Sequence, residues 1–165
     1  MTNIIPVKTA SEVKITADLA ATIWMEHYIS IIGEGQVTYM LEKFQSALAI
    51  QDQMEKGIQY CLLKFNEAFV GYFSFTINED FLFLSKLYVL KSARGNGIAK
   101  TALAYIESKA KENAIPKIQL TVNKYNSNSI TAYEKMGFIN VDSIVQDIGN
   151  GYVMDDYVLE KKMIY

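Results

Sequence analysis

Leu87-Tyr88-Val89-Leu90-Lys91-Ser92-Ala93-Arg94-Gly95-Asn96-Gly97-Ile98-Ala99-Lys100 is the stretch on which the reading of this chain turns. Leu87–Val89 closes an apolar run and a helical pattern starts at Gly97, so the glycines lie between a strand and a helix. Glycine lets the backbone turn tightly and approach a ligand closely. A helix start leaves several N–H groups without partners and is the positive end of the helix dipole. Together these make a cradle for an anion, most often phosphate, and Arg94 and Lys100 add charge beside it. Two phosphate loops do not fit. A P-loop needs glycine directly before Lys-Ser/Thr and another five residues earlier, but Lys100-Thr101 is preceded by Ala99, and the earlier position is Arg94. A dinucleotide fingerprint needs a third glycine where Lys100 stands, and an acid on the next strand, where Ile118–Val122 has none.

Working outward, Ile58–Phe65, Ala68–Ile77 and Phe81–Leu90 are three aliphatic and aromatic runs at short spacing. Asn66-Glu67 alone separates the first two, which predicts a hairpin, and the three together predict an antiparallel meander. Upstream, Ile4–Lys8 reads as a short strand. Ser11 to about Ile31 reads as a helix, with Leu19, Ile23 and His27 on one face and Ala20, Trp24 and Tyr28 on another. Gly33-Glu34-Gly35 ends it, Gln36–Leu48 is a second helix, and the polar piece Gln51–Lys56 stops at Gly57. Downstream come a helix over Gly97–Asn113, a strand over Ile118–Val122 and a short helix over Ser127–Met136 that stops at Gly137. Two strands follow, Phe138–Ile148 and Tyr152–Lys162, joined at Gly149-Asn150-Gly151, where Asn-Gly is the strongest local hairpin signal in the chain. The order is a mixed α/β layout around a central sheet, not a run of βαβ units.

The chain has 165 residues, enough for one domain spanning 1–165 with a sizeable core. Its net charge of −2 argues against a phosphate-backbone partner, so no nucleic acid is expected. The single cysteine, Cys61, lies in an apolar run and reads as a buried, inert thiol. No run has the length of a membrane span and the first residues lack a signal-peptide layout, so the protein is expected in the cytoplasm.

A third phosphate loop does fit. The pyrophosphate loop R/Q-x-x-G-x-G/A of the GNAT superfamily of acetyl-CoA-dependent N-acetyltransferases is filled by Arg94, Gly97 and Ala99. About thirty residues on, Asn126-Ser127-Asn128-Ser129-Ile130-Thr131-Ala132-Tyr133-Glu134-Lys135-Met136-Gly137-Phe138 resembles the superfamily's N-x-x-A/S-I-x-x-Y-E-K-x-G-F without a gap. By motif the resemblance covers about Phe69 to Phe138, and by element order the flanks. It implies an α/β fold with a mixed central sheet of about seven strands: a meander, then splayed fourth and fifth strands, flanked by about four helices. It implies acetyl-CoA as co-substrate and no metal. Arg94, Gly95, Asn96, Gly97, Ile98, Ala99 and Lys100 would hold its pyrophosphate, and the backbone of Leu87, Tyr88 and Val89 its pantetheine arm and thioester carbonyl. Asn126 and Ser129 would contact the cofactor. Tyr133 would protonate the leaving thiolate, a role that suits a phenol protonated at neutral pH.

The chain departs from the pattern in one respect. In many relatives a glutamate on the fourth strand removes the amine's proton, but Phe83-Leu84-Ser85-Lys86-Leu87 carries no carboxylate. Glu26, His27, Glu34 and a water chain stay open as alternatives. Asp155 and Asp156 on the last hairpin read as solvated charges near a turn that can also attract a cation. The implied reaction is direct transfer of the acetyl group to a primary amine, with a polyamine or other small cationic amine as the first expectation and Trp24, Tyr28 and Tyr152 as aromatic walls. A protein amine as acceptor, and an acyl-CoA-binding module without turnover, are the alternatives. A homodimer is compatible with the layout.

Overall fold

The computed structural model describes residues 1–164. Among them are seven strands and five α-helices: β1 (Thr2–Pro6), α1 (Ala10–Ile32), α2 (Glu34–Gln45), α3 (Ala47–Glu55), β2 (Gln59–Phe65), β3 (Ala68–Ile77), β4 (Leu82–Val89), α4 (Ile98–Glu112), β5 (Lys117–Asn123), α5 (Ser127–Lys135), β6 (Ile139–Gly149) and β7 (Tyr152–Lys162). One mixed sheet runs β1-β2-β3-β4-β5-β7-β6, with β4 parallel to β5 and antiparallel pairing in β1–β2, β2–β3, β5–β7 and β6–β7. This is the expected α/β architecture with one helix more than expected. Ser46 makes the difference: its backbone is extended (φ −71°, ψ 159°) and its Oγ accepts from Ala49 N at 3.2 Å, so it ends α2 and caps α3 within the stretch read as one helix. No described helix is long and apolar enough to cross a membrane. The contacts divide the chain into two compact units, Met1–Thr76 with Lys86–Ala104, and Ile77–Ser85 with the residues from Tyr105 on.

The first unit begins α1 with a capping box. Thr9 Oγ1 accepts from Glu12 N at 3.2 Å, and Glu12 Oε1 accepts from Thr9 N at 2.9 Å. Gly33, at φ 86°, stops the helix. The buried side of α1 carries Val13, Leu19, Ala20, Ile23 and Trp24, and the strands add Leu62, Leu63, Phe73 and Phe75.

Polar groups are also buried here, in a directed chain. Trp24 Nε1 donates to Tyr72 Oη (3.2 Å), and Tyr72 Oη donates to Gln45 Oε1 (2.6 Å). Gln45 Nε2 donates to Tyr60 Oη (3.2 Å), Tyr60 Oη to Gln53 Oε1 (2.6 Å), and Gln53 Nε2 to the Phe44 carbonyl (2.7 Å). Burial pushes the Tyr60 phenol up to about 12 and raises the Tyr72 phenol well above its ordinary value, so both remain donors. The chain ties α1, α2 and α3 to β2 and β3. It also turns Tyr60 and Tyr72, which an unsatisfied hydroxyl would make unfavourable in a core, into specific anchors.

The second unit packs around β5, where Ile118, Leu120 and Val122 are buried and alternate with half-buried residues. Leu82, Leu84, Ile106, Ala110 and Leu159 complete its core. β6 is the edge strand, and Ile139, Val141 and Val145 on it are exposed.

Both hairpins have two-residue loops with positive φ at each position, as the right-handed strand twist favours. Asn150 (53°) and Gly151 (80°) make the β6–β7 turn, and Asn66 (49°) and Glu67 (70°) make the β2–β3 turn. Glu67 is the misfit, because a Cβ in the left-handed region costs about 1–2 kcal/mol. Its ion pair with Lys64 is long (3.8 Å) and Glu67 is 89% exposed, so it offsets little. Glu67→Gly is expected to stabilise the protein by about 0.5–1 kcal/mol, once glycine's extra unfolded-state entropy is subtracted. A thermal melt checks this, with Tm rising by about 2 °C.

Candidate active site

In the first unit, Lys86–Val89 ends β4, a 3-10 turn at Lys91–Ala93 follows, and α4 starts at Ile98. The path of β4 depends on Gly71 in β3. A Cβ there would sit 2.3 Å from the Tyr88 carbonyl oxygen and 3.1 Å from Val89 Cα, so only glycine permits this approach. Leu90 N donates to the Val70 carbonyl (2.8 Å) at the same place. The loop is pinned by buried Ala93 and Ile98, by Arg94 Nε to the Val89 carbonyl (3.2 Å), by Asn96 Nδ2 to the Ala93 carbonyl (2.9 Å), and by Lys91 N donating to Glu26 Oε1 of α1 (2.8 Å). Glu26, one of the open base candidates, thus serves as a tether for the loop.

Gly95 (φ 84°) and Gly97 (φ 73°) reverse the chain, and nothing lies within 4 Å of where their Cβ atoms would be. Arg94, Gly95, Asn96, Gly97 and Lys100 are exposed. The amides of Ile98, Ala99 and Lys100 open α4 and have no intrahelical partner to bond. The loop residues singled out in the sequence lead into N–H groups at the start of α4 that can receive an anion.

Lys86 lies in β4, just before Leu87. Burial lowers its ammonium pKa to about 8, and Nζ stands 6.0 Å from the Tyr60 ring centroid. Tyr88 packs on Trp24, Tyr28 and Tyr72, with centroids 5.5, 6.0 and 5.6 Å apart. Trp24, expected as a wall for a cation, is a core residue at 4% exposure.

In the second unit, Asn126 precedes α5 and is 3% exposed, with its N–H donating to the Asn123 carbonyl (3.0 Å). α5 buries none of its residues, so Ser129 and Tyr133 stay partly accessible. The Tyr133 ring is set edge-on against buried Phe138 at 5.5 Å, which fixes its plane. The turn that makes this contact needs Gly137 at φ 98°.

A groove of about 520 Å³ opens on one face of β5, β7 and β6 in the same unit. Phe83, Ile144 and Val158 give it apolar walls, and Gln119, Thr121 and Glu160 a polar side. Burial acts to raise the Glu160 pKa, but the Gln119 hydrogen bond (2.8 Å) and the Lys117 ion pair (3.1 Å) outweigh it and the pKa is lowered.

Next along β7 stand the two acids expected to be solvated. Asp155 pairs with Lys124 at 2.8 Å. Asp156 is instead buried, at 4% exposure, with no hydrogen-bond partner among the described residues. Desolvation first, and the neighbouring Asp155 charge second, push its carboxyl up to about 6, against a smaller pull from Lys124. Adjacent acids near a turn gave no warning of this. The signal present in the sequence was alternation along β7, which puts Asp156 in line with apolar Val158.

A carboxyl with a raised folded pKa binds its proton more tightly in the native state. Its contribution to stability is complete below the ordinary value of 3.8 and is lost as pH rises through about 6. Asp156→Asn is therefore expected to stabilise the protein at pH 8, by roughly 2–3 kcal/mol from a shift of about two units, and to leave it little changed at pH 4. Thermal melts at the two pH values check both the sign and the window.

The chain matches the model of the acetyltransferase (GNAT) family over residues 22–138. Among solved structures it is similar to the PaiA N-acetyltransferase from Thermoplasma acidophilum in complex with coenzyme A, at 21% identity and a TM-score of 0.82, covering 99% of each chain. It is also similar to a GNAT family acetyltransferase from Elizabethkingia anophelis with acetyl-CoA bound, at 15% identity and a TM-score of 0.63, covering 98% of each chain. A third is an aminoglycoside 6'-acetyltransferase type Ii, at 18% identity and a TM-score of 0.71, covering 99% of this chain and 98% of that one. No curated protein matches. At these identities the structural likeness speaks for the fold, and the family model, spanning well over half the sequence, speaks for descent: the chain belongs to the acetyltransferase (GNAT) family.

Proposed function

We propose that this acetyltransferase takes its acetyl group from acetyl-CoA and transfers it to a small cationic amine by direct attack in a ternary complex. The observation that carries the reading is the loop Arg94–Lys100, where exposed amides, two positive-φ glycines with open space at their Cβ positions and a helix start fit a pyrophosphate. Arg94 and Lys100 supply charge, and the backbone of Leu87–Val89 supplies N–H groups for the pantetheine arm. The co-substrate brings an acyl thioester, a carbonyl that an amine can attack without an enzyme-bound intermediate.

The chain's own residues bind, orient and move protons. Asn126 and Ser129 contact the cofactor in this reading. Tyr133, held by Phe138, gives its hydroxyl proton to the departing sulfur. Holding both reactants together lowers the barrier by converting an encounter into an internal step. Asp142, on the groove and without an ion pair among the described residues, favours a cationic acceptor over an anionic one.

Release of free CoA from acetyl-CoA, read for spermidine, a neutral amino acid and a lysine-bearing peptide, tests the acceptor class. The largest kcat/KM is expected for spermidine, and turnover of the peptide alone would make the acceptor a protein amine. Tyr133→Phe is expected to bind CoA normally in calorimetry and to lose about two to four orders of magnitude in kcat. Gly97→Val puts a branched side chain at φ 73° on the cradle, and CoA affinity is expected to fall at least about tenfold while a cooperative melt is retained.

A further inference from the structure

The acceptor amine must lose a proton to become part of an amide, and β4 offers no carboxylate to take it. We propose that Asp156 of β7 is the group that takes this proton, with the carbon chain of the amine lying in the adjoining groove. The inference rests on the acetyltransferase reading and supplies the base that this reading lacks.

Sheet register fixes where Asp156 stands. Gln119 stands opposite Glu160, Thr121 opposite Val158, and Asn123 opposite Asp156. On the other side of β7, Val158 faces Asp142 and Asp156 faces Ile144. Residues two apart on a strand share a face. The rows containing Glu160 and Val158 line the groove, as does Ile144, so Asp156 belongs to the next row of the same face. It stands at the end of β5, next to the turn in which Asn126 N bonds the Asn123 carbonyl, the segment that leads into α5 and Tyr133.

The charges around it leave this carboxylate uncommitted. Lys124, the cation near it, is held by Asp155 at 2.8 Å. Glu160 is held by Lys117 and Gln119, and exposed Asp142 accepts from Ser143 N at 2.8 Å. From β6 the neighbour is Ile144 and from β5 Asn123, neither of which carries charge. A buried carboxylate without a donor is costly to keep ionised, so a cationic or proton-giving ligand is the natural complement. With its carboxyl pushed up to about 6, Asp156 is ionised at neutral pH and still basic enough to hold a proton briefly. Lys86 suits the role less well. Its pKa of about 8 keeps it mainly protonated at neutral pH, and alternation along β4 puts it on the face opposite Phe83, which lines the groove.

The step balances without an added reagent. The neutral amine nitrogen bonds to the thioester carbonyl carbon as its N–H proton passes to the Asp156 carboxylate. The C–S bond breaks, and the sulfur takes the Tyr133 proton. The proton on Asp156 returns through solvent to the phenolate, leaving an N-acetylamine, CoA thiol and both side chains as they began.

The test compares wild type, Asp156→Asn and Asp156→Glu with spermidine, a neutral amino acid and a lysine-bearing peptide as acceptors. Wild-type kcat should rise with pH through about 6. Asp156→Asn should lose that limb and about two to four orders of magnitude in kcat while keeping its CoA affinity by calorimetry. Asp156→Glu should regain part of the rate. Independently of turnover, the carboxyl carbon of Asp156, followed by NMR in wild-type protein without CoA, should titrate at lower pH when spermidine is added, because a nearby cation favours the ionised form. Wild-type rate with an intact limb in Asp156→Asn, or a titration unmoved by spermidine, overturns the inference and leaves the acetyltransferase reading standing. Wild-type protein that transfers acetyl to none of the acceptors overturns both.

Discussion

Between β3 and β4 of the first unit there is room for two backbones at Gly71 and for nothing else. A Cβ at that point would lie 2.3 Å from the Tyr88 carbonyl oxygen, a distance no side-chain carbon tolerates, and the obstacle is main chain that cannot rotate away. The residues downstream of β4 inherit this approach. The Leu90 N–H reaches the Val70 carbonyl, the turn at Lys91–Ala93 forms beyond it, and Arg94 folds back to the Val89 carbonyl. The anion-binding backbone at Gly95–Lys100 is thus aimed by a contact made in an earlier strand. Overpacking of this kind typically costs about 1–3 kcal/mol and shifts backbone. A shift here would move the functional segment itself.

The first unit joins its helices to its strands with polar as well as apolar contacts. The chain from Trp24 through Tyr72, Gln45 and Tyr60 to Gln53 has one donor for each acceptor, and its members are buried or nearly so. Such a chain adds little net stability per bond, about 1 kcal/mol, but leaving any member unpaired would cost more. Its effect is therefore on uniqueness. α1, which also supplies the Glu26 tether to the loop, cannot slide along the sheet without breaking several bonds together.

The second unit handles charge differently. Its partly buried carboxylates are paired where a lysine is at hand: Glu107 with Lys161, Glu160 with Lys117, Asp155 with Lys124. Asp156 has no ion pair among the described residues, and burial raises its pKa. Structural acids are seldom left in that state, because burial of an unpaired charge lowers stability without any packing return. A group that is costly to the fold and stands in the row next to a groove is where function and stability pull in opposite directions.

The sequence by itself determined whatever depends on near neighbours along the chain. Asn150-Gly151 made a hairpin, Gly137 stopped a helix, and Arg94, Gly97 and Ala99 with Asn126 and Tyr133 carried the family, because turns, caps and loop motifs are local chemistry. Even the missed fifth helix was local: Ser46 is a capping residue inside a stretch whose apolar spacing ran on past it. Tertiary structure decided whatever depends on register. Whether Asp156 faced water or the sheet interior, whether Gly71 met open space or a carbonyl, and whether Gln45 was a surface amide or the middle of a buried chain were each set by a partner on another element: Asn123 for Asp156, Tyr88 for Gly71, Tyr72 for Gln45. A one-residue slip in any strand pairing would turn its side chains to the other face, and composition and periodicity are the same on either side of such a slip.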